Sequence, residues 1–290
     1  MRSRSGLIGV LAVLSAAGIG LAAWAGGGLA GGGNTTTPRV TTTLPRPPVT
    51  LRVIFPEGFT RADMAERIAA VRSIAIRKRH VRPRLTASGY LSASVARKAP
   101  PGFKRNPGSR SLEGFLFPAT YDFTQATTAG GLVADQIAAF RKAFSTVNLR
   151  YARSKNLTSY DVLTIASMIE KEAVVPAERR LIAAVIYNRL HAKMPLGIDA
   201  TIRYGLRIPG TKSLTKKALA SSSPYNTRRF RGLPPTPIAN PGLASIRAAA
   251  HPARVDYLYF VRKPDKRHHF FTADGQEFLR KACEYGFGCS

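Results

Sequence analysis

Two carboxylates close an apolar segment, Tyr160-Asp161-Val162-Leu163-Thr164-Ile165-Ala166-Ser167-Met168-Ile169-Glu170-Lys171-Glu172-Ala173, and they are the side chains best placed to move a proton. At the edge of an apolar helix a carboxyl loses hydration, which disfavours its charged form and raises its pKa toward the range of a general acid. Residues two apart on a helix are separated by about 200°, so Glu170 and Glu172 face apart and only one can enter a given cleft. Helix neighbours lie three and four positions away: Glu172 has Ile169 and Met168, whereas Glu170 has Ser167 and Ala166. Glu172 therefore has the greasier surroundings. The bland alternative is that both are solvated acids on a helix surface, the usual place for ionised side chains.

Several elements must position this helix. Thr158-Ser159-Tyr160-Asp161 is a capping box that opens it. Thr128 caps an earlier helix over Leu132, Ile137, Ala138 and Phe144. Pro176 suits the first turn of a following helix whose stripe is Leu181, Ile182, Val185, Ile186 and Leu190. Asn240-Pro241 reads as an N-cap and first-turn proline ahead of a helix that stops near His251-Pro252. The run from Asp256 to Val261 reads as a strand, His268 to Phe271 pairs with it as a hairpin, and Thr272 caps the last helix. Upstream, Val49 to Phe55 alternates as a strand, Pro56-Glu57-Gly58 turns, and Thr60-Arg61-Ala62-Asp63 caps a helix with Met64, Ile68 and Val71 on one face. Helices dominate and the sheet is small, so the fold class is α+β.

At 290 residues the chain can hold one large domain and a small one. Its formal charge of +28 raises nucleic acid as a partner, but no nucleic-acid motif is recognised and the first residues point outward from the cytoplasm. Met1-Arg2-Ser3-Arg4 is basic, and Gly6 to Ala25 is uncharged and long enough to span a bilayer with its basic flank inside. A retained membrane anchor is expected, with signal cleavage after Ala23-Trp24-Ala25 as the competing outcome. Gly26 to Pro48, rich in Gly, Thr and Pro, is a tether. From Arg72 to Arg110 there are eleven Lys or Arg and no acid, and the stretch reads as an irregular, solvated connection. Arg203 to Arg254 holds ten more and again no acid. Outside a membrane such runs favour anionic surfaces. Cys283 and Cys289 can close a small disulfide loop in an oxidising compartment. His251, His268 and His269 lack a second spaced ligand set, so neither a metal nor a cofactor is expected. The expected organisation is 1–5 a cytoplasmic stub, 6–25 the anchor, 26–48 the linker, 49–111 a small module with its basic connection, and 112–290 the catalytic domain.

Seven motifs occur in an order that resembles the YceG-like family of endolytic murein transglycosylases. They are Leu112-Glu113-Gly114-Phe115-Leu116-Phe117-Pro118-Ala119-Thr120-Tyr121, the Ile165 to Ala173 run, Ile186-Tyr187-Asn188-Arg189-Leu190, Met194 to Gly205, Ser223-Pro224-Tyr225-Asn226-Thr227, Gly232 to Gly242, and Ala249-Ala250-His251-Pro252. The resemblance implies a membrane-anchored enzyme of the bacterial envelope with a lysozyme-like, mainly helical core, acting on peptidoglycan alongside cell-wall synthesis proteins. It also implies a catalytic glutamate followed by a small residue, as Glu172 is by Ala173; Glu172 is assigned as acid/base with Glu170 as the alternative. Glu113, Asp199 and Thr201 are carried as substrate contacts on the same ground. Two departures stand out: only one strand-turn-helix, Val49 to Val71, represents the family's LysM-like module, and the common Gln-Thr-Asp-Pro-Thr is here Gly197-Ile198-Asp199-Ala200-Thr201.

Tyr225, Asn226 and Asn188 are further candidate sugar contacts, since amides match hydroxyls and N-acetyls and an aromatic face packs on a pyranose ring; their structural alternatives are a turn and a helix-end contact. In a lytic transglycosylase one acid protonates the leaving oxygen and then, as base, assists the muramyl C6 hydroxyl in attacking its own C1, leaving a 1,6-anhydro end. The intramolecular nucleophile brings a high effective molarity, so the second carboxylate of an ordinary glycosidase is not needed. Asp199 as such a second carboxylate would instead make a hydrolase. A catalytically silent wall-binding scaffold is the alternative that tolerates loss of Glu172.

Overall fold

The computed structural model describes residues 48–95, 99–104 and 109–287. Leu51–Ile54 (β1) alternates buried and exposed side chains, as a strand with one face on a core must. Helix Arg61–Arg79 (α1) opens with the expected capping box: the Asp63 carboxylate accepts from the Thr60 N–H at 2.8 Å, and the Thr60 hydroxyl accepts from the Asp63 N–H. The stretch expected to be an irregular connection is in fact partly helical. It contains the last two turns of α1 and a second helix, Ala87–Ala93 (α2), capped by Thr86. Three physical reasons account for this correction. Lys and Arg are good helix formers, the cations Arg77, Lys78 and Arg79 suit the negative end of the helix dipole, and Ala75 continues the buried face begun by Met64, Ala65 and Ile68.

Strand Thr120–Phe123 (β2) pairs antiparallel with β1, Leu51 opposite Phe123 and Ile54 opposite Thr120. This ladder ties residues before position 111 to residues after it. The core also runs on unbroken, from Val53, Phe55, Met64 and Tyr90 to Phe115, Phe140, Leu163 and Met168. The expected boundary between a 49–111 module and a 112–290 domain coincides with no break in packing, because β1 and α1 bury their apolar faces against the later helices.

The chain continues through Ala129–Ser145 (α3), Arg150–Ser154 (α4), Ser159–Glu172 (α5), a 3₁₀ turn Pro176–Glu178, Arg179–His191 (α6), Asp199–Leu206 (α7), Lys216–Leu219 (α8) and Leu243–Ala250 (α9). A hairpin of Tyr259–Arg262 (β3) and His269–Thr272 (β4) then precedes Gly275–Glu284 (α10). Thr128 and Thr158 cap α3 and α5 as expected. Two caps differ. The α9 N-cap is Gly242, because Asn240 is buried and bonded elsewhere. The α10 N-cap is Asp274, whose carboxylate accepts from the Gln276 and Glu277 N–H groups, while the Thr272 hydroxyl accepts from the Asp274 N–H.

At the centre lies α5, in which every residue from Val162 to Ile169 is buried. A helix apolar all round must be covered all round, and α6, α7 and α9 pack on it. The Thr164 and Ser167 hydroxyls stay satisfied by donating to the Tyr160 and Thr164 carbonyls. Each fully buried Leu, Ile or Met contributes about 1.5–3 kcal/mol, which makes α5 a rigid platform for whatever its last turn carries. The expected stub 1–5, anchor 6–25 and linker up to residue 47 lie outside the described residues, as does Cys289, the expected partner of Cys283. Among the described residues no helix is long and apolar enough to cross a membrane, and no cluster of His, Cys, Asp and Glu could hold a metal ion.

Candidate active site

Glu172 is the last residue of α5, and the chain leaves it at Ala173 in an extended conformation. The residue is partly accessible while its carboxyl is closely surrounded by protein, the arrangement expected where a helix emerges from a core. Burial pushes the carboxyl up to about 7. The Arg262 guanidinium on β3 pulls it back most strongly, the Asp199 carboxylate pushes it further up, and the Ala200 N–H and Arg203 on α7 favour the charged form. A carboxyl poised near neutrality can give a proton to one atom and then take one from another.

Asp199 opens α7 and pairs with Arg228 at 2.7 Å, both side chains nearly half exposed. Such a surface pair contributes little to stability, but it leaves Asp199 beside Glu172. Along the same helix the ring of Tyr204 lies 5.3 Å from that of Tyr225, whose hydroxyl shares a 2.8 Å hydrogen bond with Thr236. Tyr225 remains partly exposed, so its ring can still meet a sugar.

Four other candidates have polar groups bonded within the fold. Glu113 is buried, accepting from the Arg61 N–H at 3.0 Å, the Asn240 Nδ2 at 2.7 Å and the Tyr204 hydroxyl at 3.1 Å. Burial pushes its carboxyl up to about 7, against the pull of Arg61 and the Tyr204 hydroxyl. Asn188 gives its amide hydrogens to the Val255 and Tyr257 carbonyls, both at 2.9 Å. The Thr201 hydroxyl donates to the Ile198 carbonyl and meets Thr227 at 3.0 Å in a fully buried spot. Buried Asn226 closes a turn, donating to the Leu219 and Ser221 carbonyls and accepting from the Arg228 N–H. In each of the four the hydrogen-bonding groups are engaged within the protein.

Glu170 turns to a different neighbourhood from Glu172. Its carboxylate accepts from the Gly242 N–H at 3.0 Å and so caps α9, where a negative group suits the helix dipole. The Glu57 carboxylate lies close over Gly242, so a Cβ at that position would displace the exposed Glu57 side chain.

Sequence reasoning missed the cations that face Glu172, Arg262 and Arg203, because neither stands near it in the chain. It also missed Asn240, whose Oδ1 accepts from the Gly114 and Leu116 N–H groups while its Nδ2 donates to Glu113 and the Phe59 carbonyl. Arg189 donates to the Leu258 and Leu196 carbonyls and lies 5.1 Å from the Tyr259 ring, which fixes the approach to β3. Buried His269 bonds Glu178 through its N–H at 2.9 Å and its Nδ1 at 2.7 Å, pinning β4 to the turn that follows the Glu172 helix. In the register of the hairpin His269 stands opposite Arg262.

A buried apolar helix that ends in one carboxyl raised toward neutrality, with Asp199, Arg203 and Arg262 acting on it, makes Glu172 the candidate acid–base group of this α+β scaffold. The chain belongs to the YceG-like family, whose profile matches residues 32–284. It is 32% identical over 260 residues to an endolytic murein transglycosylase of Streptococcus pneumoniae, covering 83% of this chain and 46% of that one. It is 43% identical over 155 residues to an endolytic murein transglycosylase of Bacillus subtilis, covering 52% of this chain and 42% of that one. The chain thus spans about half the length of the curated relatives it matches. A crystal structure of a YceG-like protein from Listeria monocytogenes superposes with a TM-score of 0.66 at 31% identity, covering 78% of this chain and 74% of the other.

Proposed function

We propose that the protein is an endolytic lytic transglycosylase that cuts the bond between N-acetylmuramic acid and N-acetylglucosamine in nascent peptidoglycan strands and so limits their length, with Glu172 as its acid/base. The single observation that carries this reading is the Glu172 carboxyl at the end of α5, raised to about 7 by burial and flanked by Asp199, Arg203 and Arg262. In the reaction Glu172 donates its proton to the glycosidic oxygen, which leaves as the free hydroxyl of N-acetylglucosamine. The resulting carboxylate takes the proton of the muramyl C6 hydroxyl as that oxygen bonds to C1. The sugar closes to a 1,6-anhydro end, Glu172 is protonated again, and no water is consumed. The Tyr225 ring is the remaining candidate for packing on a sugar.

The same reading has the catalytic part, a lysozyme-like helical core, on the extracytoplasmic side of the bacterial membrane, held there by the uncharged segment 6–25 and neighbouring the cell-wall synthesis proteins. The segment Val49 to Val71 is then a reduced LysM-like element absorbed into the domain. A hydrolase is favoured by one observation, the Asp199 carboxylate close enough to raise the pKa of Glu172.

Mass analysis of fragments released from purified murein separates these readings. The wild type is expected to release 1,6-anhydromuramyl products, with Glu172→Gln losing about 10²–10⁴-fold of the rate and Glu170→Gln keeping a substantial part, since its carboxylate caps α9. Release of reducing ends alone would make the enzyme a hydrolase that uses Asp199. An active Glu172→Gln with a dead Glu170→Gln would move the acid/base assignment by two positions.

A further inference from the structure

The strongest unexplained surface is at the C-terminal end of α1. Between Glu66 and Glu113 the chain has no acidic residue, and Arg77, Lys78, Arg79, Arg82 and Arg84 are all exposed. His80 adopts a left-handed conformation, φ 55°, that ends the helix and turns the chain. Arg72 then donates to the Pro83 carbonyl at 3.2 Å, so the segment carrying Arg82 and Arg84 folds back along the helix end. No salt bridge among the described residues neutralises these cations. The ion pair of Arg52 with Asp122 lies on the β1–β2 ladder and is satisfied within itself. The helix dipole accounts for a preference for cations in the last turn, but Arg82 and Arg84 lie beyond it.

The same end of the molecule receives the preceding chain. The Arg84 N–H donates to the Gln125 carbonyl at 3.0 Å. Gln125 follows β2, whose Phe123 stands opposite Leu51 at the beginning of β1. The start of β1 and Arg84 are held by residues only two apart in the chain, Phe123 and Gln125. The chain thus enters β1 close to these cations. Two large apolar side chains are exposed here as well, Val49 at 43% and Ile74 at 52%. Ile74 lies one helical turn before Arg77 and Lys78, on the same face.

We infer that this end, formed by Ile74, Arg77, Lys78, Arg79, Arg82 and Arg84, seats on an anionic phospholipid bilayer. Basic side chains next to a bilayer gain from its negative surface potential within about a Debye length, roughly 10 Å at 0.1 M salt. Exposed Ile74 and Val49 decide for a bilayer over a water-soluble polyanion, because only the former offers apolar depth beneath its charged head groups. The contact would hold the domain in one orientation on the membrane, independently of the reaction it performs.

The test is hydrogen exchange of residues 74–84 in the full chain, reconstituted in nanodiscs of phosphatidylcholine alone or mixed with phosphatidylglycerol. Exchange is expected to be severalfold slower in the anionic discs at about 0.1 M salt, and the difference is expected to vanish at about 1 M. The variant R77Q/K78Q/R79Q/R82Q should abolish the slowing, since each basic side chain contributes about fivefold to the attraction. Unchanged exchange in α5 would show that this variant is folded. A control that removes three exposed cations elsewhere, K212Q/K216Q/K217Q, should leave the slowing intact. Equal exchange in both kinds of disc, slowing that appears only when a polyanionic wall polymer is added, or equal loss in the control would each overturn the proposal.

Discussion

Glu172 is surrounded by charges of both signs, and its behaviour depends on their balance. Arg262 lowers its pKa and Asp199 raises it, so removing them should act in opposite directions. A general acid must be protonated to work, which places the falling limb of the activity profile near the pKa of about 7. Arg262→Gln is expected to move that limb to higher pH and Asp199→Asn to lower pH. Titrating the Glu172 side-chain carbonyl by NMR in the two variants checks this without reference to turnover. Shifts in the same direction would mean that one of these side chains acts by rearranging the cleft rather than by its charge.

The elements are joined where buried polar side chains bridge segments far apart in the chain. Asn240 is the clearest case: it links the turn before α1, the Glu113–Leu116 turn and the approach to α9. Truncating it takes one of three donors from the buried Glu113 carboxylate and removes the acceptor of the Gly114 and Leu116 N–H groups, each unsatisfied group costing about 1–3 kcal/mol. Asn240→Ala is therefore expected to destabilise the domain by about 2–4 kcal/mol, read as a fall in the urea midpoint at unchanged m-value. Its neighbour Gly114 shows how tightly these segments meet. It has φ +88°, and a Cβ there would come within 2.6 Å of Pro237.

At the scale of the whole molecule the two raised carboxyls couple folding to pH. Glu172 and Glu113 have ordinary values of 4.5 and sit at about 7 in the fold. Between those values the folded state binds more protons than the unfolded one, so stability falls as pH rises from about 4.5 to about 7. The offset of roughly 2.5 pH units corresponds to at most about 3 kcal/mol per group, less for Glu172 because part of that side chain stays accessible. Glu172→Gln should remove part of this slope and be as stable as the wild type or more so at pH 8, which urea unfolding at pH 5 and pH 8 would report. A loss of several kcal/mol would instead identify Glu172 as a structural ion-pair partner.

Local chemistry explains why much of this was legible from residues alone. The capping boxes at Thr60 and Thr158, the apolar α5, the hairpin and the greasier surroundings of Glu172 depend on residues within four positions of one another, where helix and strand geometry fixes who meets whom. Tertiary structure decided what no spacing encodes. Asn188 spends its amide hydrogens on the Val255 and Tyr257 carbonyls, which distant packing brings to it, so its polar chemistry, correctly read as hydrogen bonding, turned inward. Arg262 reaches Glu172 across ninety positions of chain because His269 and Glu178 pin the hairpin beside the end of α5. A side chain's type fixes which bonds it can make, whereas long-range packing fixes which partner arrives first and which carboxyl is left with its proton at the edge of the cleft.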